Sequence, residues 1–337
     1  ANKTSYPVYG QSSLFEKPQG EQTMNQTTYV SNKSDRPQQL NIRHDHEYQA
    51  VWAEMSFTGR PSMSMDILND LAAAQDEISA LCRSNAINRS GYCPRFQVLS
   101  CATPGVFSLG GDLAFFLETI RKQDRPALMQ YATACIDILY KSVSGYGSDL
   151  TTIALVQGEA LGGGFEAALS CNVIIAERDA TFGFPETLFG MFPGMGAFSL
   201  LARRITPAMA KRLIESGNVY TADELYEMGV IDRVVANGDG SRSVYDLIRE
   251  RRNRITGFHG LERAMAEVNP VSYEELSNIV TIWVDTALKL SDKSLRLMEY
   301  LLDAQNKRWE GVDEKPVARL PQIAAQSPGE HTTSSAA

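Results

Sequence analysis

Residues 157–196 read QGEALGGGFEAALSCNVIIAERDATFGFPETLFGMFPGMG. An apolar β-like run, Thr152-Ile153-Ala154-Leu155-Val156, leads into this stretch and meets three glycines, Gly162-Gly163-Gly164. A helix-forming run, Phe165-Glu166-Ala167-Ala168-Leu169, follows directly. Strand, glycine turn, helix is an arrangement that exposes unpaired backbone N–H groups at a helix start. Glycines there tolerate positive φ and let a second molecule approach the main chain closely. Glu166 falls in the first helical turn, and a second acid, Glu186, lies twenty positions on, after a short strand at Val173-Ile174-Ile175-Ala176. Two acids beside a bare N–H pocket suit acid–base chemistry on a developing oxyanion.

Working outward, the 337 residues suffice for a full core plus an appendage. Apolar residues make up 43% and charged residues 21%, an ordinary balance for a globular chain. The formal charge of −8 speaks against a nucleic-acid or anionic-membrane ligand. No stretch approaches the roughly 20 apolar residues needed to span a bilayer. The first residues, ANKTSYPVYGQSS, lack the apolar core of a secretory signal. Five cysteines, an odd number at irregular spacing, and four histidines form no CxxC or other ligand pattern. The expectation is therefore a cytoplasmic protein without metal, cofactor or disulfide framework. Cys171 reads as a small buried hydrophobe, and His44 and His46 as polar side chains exposed to solvent.

Residues 1–40 are polar and aperiodic and read as an extended arm. Regular structure is expected from Tyr48, with a strand to Phe57 and an amphipathic helix from Ser64 to about Arg83. A strand at Phe96–Ser100 leads to Pro104-Gly105-Val106-Phe107-Ser108-Leu109-Gly110-Gly111-Asp112-Leu113, a second glycine junction that offers the N–H of Gly111. Helices are expected at Leu113–Arg121, about Pro126–Val143, Ala197–Ile205 and Ala208–Ser216. Thr221-Ala222-Asp223-Glu224 has capping-box spacing, and Val230–Val235 reads as a last strand before the break at Asn237-Gly238-Asp239-Gly240. Strands alternating with helices imply an α/β core with crossover connections. The rest of the chain reads as a helical region over 239–310 and a disordered tail over 311–337. Arg249, Arg251, Arg252 and Arg254 form either a solvated helix face or a contact for an anionic carrier.

Four ordered segments, VFSLGGDL, GEALGGGFEAALSCNVIIAE, FGFPETLFGMFPGMG and TADELYEMGVIDRVV, resemble the crotonase (enoyl-CoA hydratase/isomerase) superfamily. The resemblance implies a crotonase-like spiral of ββα units over 41–238, followed by a C-terminal α-helical region for oligomerisation and part of an acyl pocket. By position, Gly111 and Gly163 resemble the two oxyanion-hole donors, and Glu166 and Glu186 the two acids of members that add or remove water. Leu109 replaces a common Ala, and Asn172 a common Asp. Within the superfamily the arm Ser5–Gly10, the GVFSLGGDL wording and the helical region with Trp283 are most similar to bacterial diffusible signal factor synthases. That likeness implies dehydration of a 3-hydroxyacyl chain on acyl carrier protein to a cis-2-enoyl thioester, then hydrolysis to a free fatty-acid signal. It also implies a cognate sensor protein as partner and a trimer or dimer of trimers.

Each of these residues has a plainer reading. A first-turn Glu suits the helix dipole, Glu186 could be a surface acid, and the glycines could serve tight packing. Trp283 is either helix-packing core or, with Leu301, a wall of the acyl pocket. Two alternatives stand beside the synthase: an enoyl-CoA hydratase or 3-hydroxyacyl-CoA dehydratase that never hydrolyses the thioester, and a non-catalytic crotonase-fold protein that binds a partner. A pure scaffold has no need of both acids and both glycines.

Overall fold

The structure, a computed structural model, describes residues 28–29, 38–88 and 92–310. The expectations for most of the arm and for the 311–337 tail lie outside the described residues. The strands are β1 (Thr28–Tyr29), β2 (Leu40–Asp45), β3 (Ala50–Met55), β4 (Phe96–Cys101), β5 (Val106–Ser108), β6 (Thr151–Val156), β7 (Glu159–Leu161), β8 (Val173–Glu177), β9 (Thr181–Gly183), β10 (Val219–Thr221) and β11 (Arg233–Val235). The helices are α1 (Met65–Asn88), α2 (Leu113–Arg121), α3 (Arg125–Val143), α4 (Gly163–Leu169), α5 (Ala197–Leu201), α6 (Pro207–Ser216), α7 (Ala222–Glu227), α8 (Gly240–Arg252), α9 (Ile255–Val268), α10 (Tyr273–Ala287) and α11 (Asp292–Glu310).

Two sheets run through the body. The larger has the order β1-β2-β3-β4-β6-β8-β11, and the smaller β10-β9-β7-β5. From β3 onward the large sheet is parallel, as are the pairs of β5, β7 and β9. Successive units β4-β5-α2, β6-β7-α4 and β8-β9 each give one strand to each sheet, which is the spiral of ββα units. Parallel strands buried on both faces are apolar throughout rather than alternating. Ile153 and Leu155 face one side with Trp52, Phe96, Val98 and Ile175, against Val244, Leu247 and Ile248 of α8. Ala154 and Val156 face the other side, in the main core with α1, α3 and α4. The side-chain period of two divides each strand between two cores.

Several expectations change. A strand, β2, precedes Tyr48 and pairs antiparallel with β3, so regular structure begins earlier than the pattern implied. His44 sits in β2, buried rather than at the surface, with the Tyr92 ring edge-on at 5.5 Å. Its pKa is lowered, chiefly by burial and then by His46. The second sheet, β10-β9-β7-β5, is made of short strands that the sequence pattern does not predict. By contrast, the Thr221 capping box is present in both halves: Thr221 Oγ1 accepts from Glu224 N and Glu224 Oε2 accepts from Thr221 N. Asn172, at its unusual position, accepts from Thr152 N at 2.7 Å and ties the start of β6 to the start of β8. Among the described residues no helix is long and apolar enough to cross a membrane, and no group of three or more His, Cys, Asp or Glu is placed to hold a metal.

Candidate active site

A largely apolar cavity of about 250 Å³ lies between the small sheet, helices α1–α3 and the C-terminal helices α10 and α11. Gly111, Gly163, Glu166, Glu186, Trp283 and Leu301 all line it. The six residues singled out in the sequence therefore meet in one place, although they span 190 positions (301 − 111).

Glu166 is buried, on the inward face of α4. The N–H groups of Met195 and Ala197, where the Pro193–Gly196 loop enters α5, donate to its Oε1 at 2.9 and 3.0 Å. Burial pushes its pKa up to about 7, against the pull of those two hydrogen bonds toward the charged form. Glu186 is half-buried on a 3₁₀ turn over Pro185–Phe189, and its Oε2 is shut from solvent without a hydrogen-bond partner. Its pKa rises to about 8, first through burial and then through the charge of Glu166. The two carboxyls are close enough to influence one another, and their surroundings differ in the one respect that matters. Hydrogen bonds support an ionised Glu166, whereas nothing supports an ionised Glu186 at Oε2.

The glycines have separate tasks. Gly162 takes φ +48°, and a Cβ there would stand 2.2 Å from Glu186 Oε1, so the second acid rests against bare main chain. A Cβ on Gly163 would lie 3.7 Å from the Gly111 nitrogen, which brings the two glycine junctions face to face. Neither the Gly111 nor the Gly163 N–H donates to any described residue. Two unpaired N–H groups beside two carboxyls can receive a carbonyl oxygen and hold the charge that develops on it.

The remaining wall is hydrocarbon. Trp283 is buried on α10, edge-on to Phe116 with ring centroids 5.2 Å apart. A Cβ on Gly194 would come within 2.3 Å of the Trp283 ring, so the indole packs directly against that loop and only glycine fits there. Leu301 and Met298 face in from α11, and Leu68, Leu71, Cys135 and Ile138 from α1 and α3. Trp283 thus both packs the core and lines the cavity. Sequence reasoning missed Tyr131 and Cys135, which line the cavity from the middle of an ordinary amphipathic helix. No local pattern distinguishes them from core residues.

The profile of the enoyl-CoA hydratase/isomerase family matches residues 95–277, more than half of the chain. A crotonyl-CoA hydratase of Syntrophomonas wolfei is 37% identical over 131 residues, 38% of this chain and 47% of that protein. A mitochondrial methylglutaconyl-CoA hydratase of Rattus norvegicus is 30% identical over 219 residues, 63% of this chain and 64% of that protein. The chain thus spans about half to two thirds of the length of these relatives. Among solved structures, human mitochondrial delta3-delta2-enoyl-CoA isomerase superposes with a TM-score of 0.66 at 18% identity, over 80% of this chain and 99% of that one. Fold, ordered motifs and family profile agree: the chain belongs to the crotonase, or enoyl-CoA hydratase/isomerase, superfamily.

Proposed function

We propose that the protein is an acyl-thioester enzyme that adds or removes water across the C2–C3 bond. The observation that carries this reading is a pair of carboxyls of unequal support, Glu166 and Glu186, beside the unpaired N–H groups of Gly111 and Gly163. The thioester oxygen accepts from those two N–H groups, which stabilises the enolate-like transition state. In the hydration direction ionised Glu166 takes a proton from the attacking water, whose oxygen bonds to C3, and protonated Glu186 delivers its proton to C2. Dehydration reverses each transfer: C2 loses its proton to Glu186, and the C3 hydroxyl leaves as water with the proton from Glu166. Each carboxyl contributes about 10²–10⁴-fold.

The finer reading is a diffusible signal factor synthase, in which the same N–H groups then hold the tetrahedral intermediate while a glutamate-activated water cleaves the thioester. Its support is the sequence likeness described above, together with an apolar cavity walled by Trp283 and Leu301 that accepts an acyl chain. The substrate would arrive on acyl carrier protein or CoA. Exposed Leu261, Met265 and Val268 along α9, and Ile282 on α10, support self-association through the C-terminal helices. Mass spectrometry after mixing with 3-hydroxydodecanoyl–acyl carrier protein, and separately with the CoA thioester, tests the proposal. Free cis-2-enoic acid supports the synthase. An enoyl product that stays thioesterified reduces the reading to a hydratase or dehydratase, and no turnover of either carrier refutes it.

A further inference from the structure

The Gly111 N–H donates to no described residue, although Gly111 bridges to Met63 and the residues on either side of it are tied down. Leu109 N donates to Pro61 O at 2.7 Å, and Met63 N donates to Gly110 O at 2.8 Å. These two bonds lay the Arg60–Met63 loop along one side of the glycine junction. On the other side Tyr131 Oη donates to Met63 O at 2.5 Å and accepts from Asp112 N at 3.4 Å. The remaining ties run through Arg60 and through α11, at the far end of the described chain. Arg60 Nη2 pairs with Asp112 Oδ1 at 2.9 Å, and Arg60 Nη1 donates to Asn306 Oδ1, also at 2.9 Å. Gln305 Nε2 reaches Leu109 O at 3.4 Å. Asp112 Oδ1 also caps α2, accepting from Ala114 N and Phe115 N.

The guanidinium of Arg60 is a rigid planar fork, so gripping Asp112 and Asn306 together fixes their separation. Its Nε is buried without a partner. A buried orphan donor is a cost to stability, and that cost is understandable where geometry serves a site rather than the fold. The same α11 face carries Met298, Leu301, Ala304 and Gln305 along the cavity wall. One helix thus lines the space for the acyl chain, bonds Leu109 directly through Gln305, and reaches Asp112 through Arg60.

We propose that Arg60, Asn306 and Gln305 are positioning residues, a brace through which α11 aims the Gly111 N–H at the thioester oxygen. This rests on the oxyanion role proposed above for Gly111. The brace does not touch the reacting atoms. It limits the freedom of a glycine that would otherwise sample many orientations, and a donor displaced by about 1 Å loses up to about 100-fold in rate.

The test reads polarisation of the carbonyl directly. A conjugated 2,4-dienoyl-CoA absorbs at longer wavelength when its carbonyl oxygen accepts strong hydrogen bonds, so its red shift on binding reports the oxyanion donors without turnover. Asn306→Ala should lower kcat about 10- to 100-fold, with a much smaller change in KM. The red shift of the bound dienoyl-CoA should shrink while its Kd and the thermal midpoint hold. Asn306→Asp keeps an acceptor for Arg60 and should retain both rate and red shift. Arg60→Met should reproduce Asn306→Ala, and Gln305→Leu serves where either variant folds poorly. A red shift unchanged in Asn306→Ala and Arg60→Met overturns the brace, as does a raised Kd with the spectrum unaltered, which would make α11 a binding wall only. A wild-type protein that binds the dienoyl-CoA without any red shift overturns the oxyanion reading itself, and the brace with it.

Discussion

Glu186→Gln separates the chemistry of the site from its cost to the fold. Burial, followed by the charge of Glu166, raises this carboxyl from 4.5 to about 8 in the folded protein. Unfolding returns it to its ordinary value. Between about pH 4.5 and 8 the unfolded chain therefore ionises while the native one holds its proton. The stability this group contributes is complete below the lower value and is lost as pH rises through the upper one. Taken from about pH 5 to about pH 9, the loss is at most about 4 kcal/mol, since each pH unit between the two values costs ~1.4 kcal/mol. The half-buried position of Glu186 makes that figure a ceiling. Gln has the same shape and does not titrate, but its amide brings new donors beside an atom that has no partner now, at a cost of about 1–3 kcal/mol. That cost is the same at both pH values, so it cancels when the two mutational differences are subtracted. Urea denaturation of both proteins at each pH should show the variant gaining on wild type by about 2–4 kcal/mol as pH rises. Hydration activity should fall about 10²–10⁴-fold at the same time. A mutational difference that is equal at the two pH values would refute the raised carboxyl, and with it the account of Glu186 as the protonated partner.

Hydration, kcat/KM against pH, should be bell-shaped. The acid limb near 7 marks protonation of Glu166, the alkaline limb near 8 marks ionisation of Glu186, and a flat profile over that range contradicts both assignments. Gly162→Ala places a Cβ 2.2 Å from Glu186 Oε1 at φ +48°, so it should destabilise by about 1–3 kcal/mol and displace the acid. Differential scanning calorimetry with a rate assay checks that result, and full activity in this variant would mean Glu186 need not rest on that glycine. Trp283→Ala should cost about 3–5 kcal/mol as a large buried ring is lost from against Gly194 and Phe116. Leu301→Trp, on a partly exposed helix, should leave the melting midpoint close to wild type and weaken acyl binding by at least about tenfold. Calorimetric titration with a medium-chain acyl-CoA reads that loss, and unchanged affinity would exclude Leu301 from the binding wall.

What could be read in the sequence, and what could not, divides along the distance over which each residue acts. Glu166 was legible as an acid in a first helical turn because strand, glycine and helix stand within a dozen positions of one another. Its chemistry was not, because the N–H groups that favour its charged form belong to Met195 and Ala197, 29 and 31 positions on. The three glycines were visible as a turn but not as three tasks, since only the fold sets Glu186 against Gly162 and Gly111 opposite Gly163. The strands β5, β7, β9 and β10 are three residues each, too short for a period of two to declare itself. In β2, Leu40-Asn41-Ile42-Arg43-His44-Asp45, alternation was present but masked by a histidine on the buried face. Arg60 shows the limit most clearly. In the sequence it stands in Thr58-Gly59-Arg60-Pro61, which reads as a turn, yet its partners lie 52 and 246 positions away. Its two bonds connect the turn before α1 to Asp112, beside the Gly110-Gly111 junction, and to the last helix. A residue whose role is to hold two remote segments at one spacing leaves no periodicity and no motif. It becomes visible only when its partners are seen together, and the site it braces is therefore specified by the whole chain rather than by the glycine motifs that announce it.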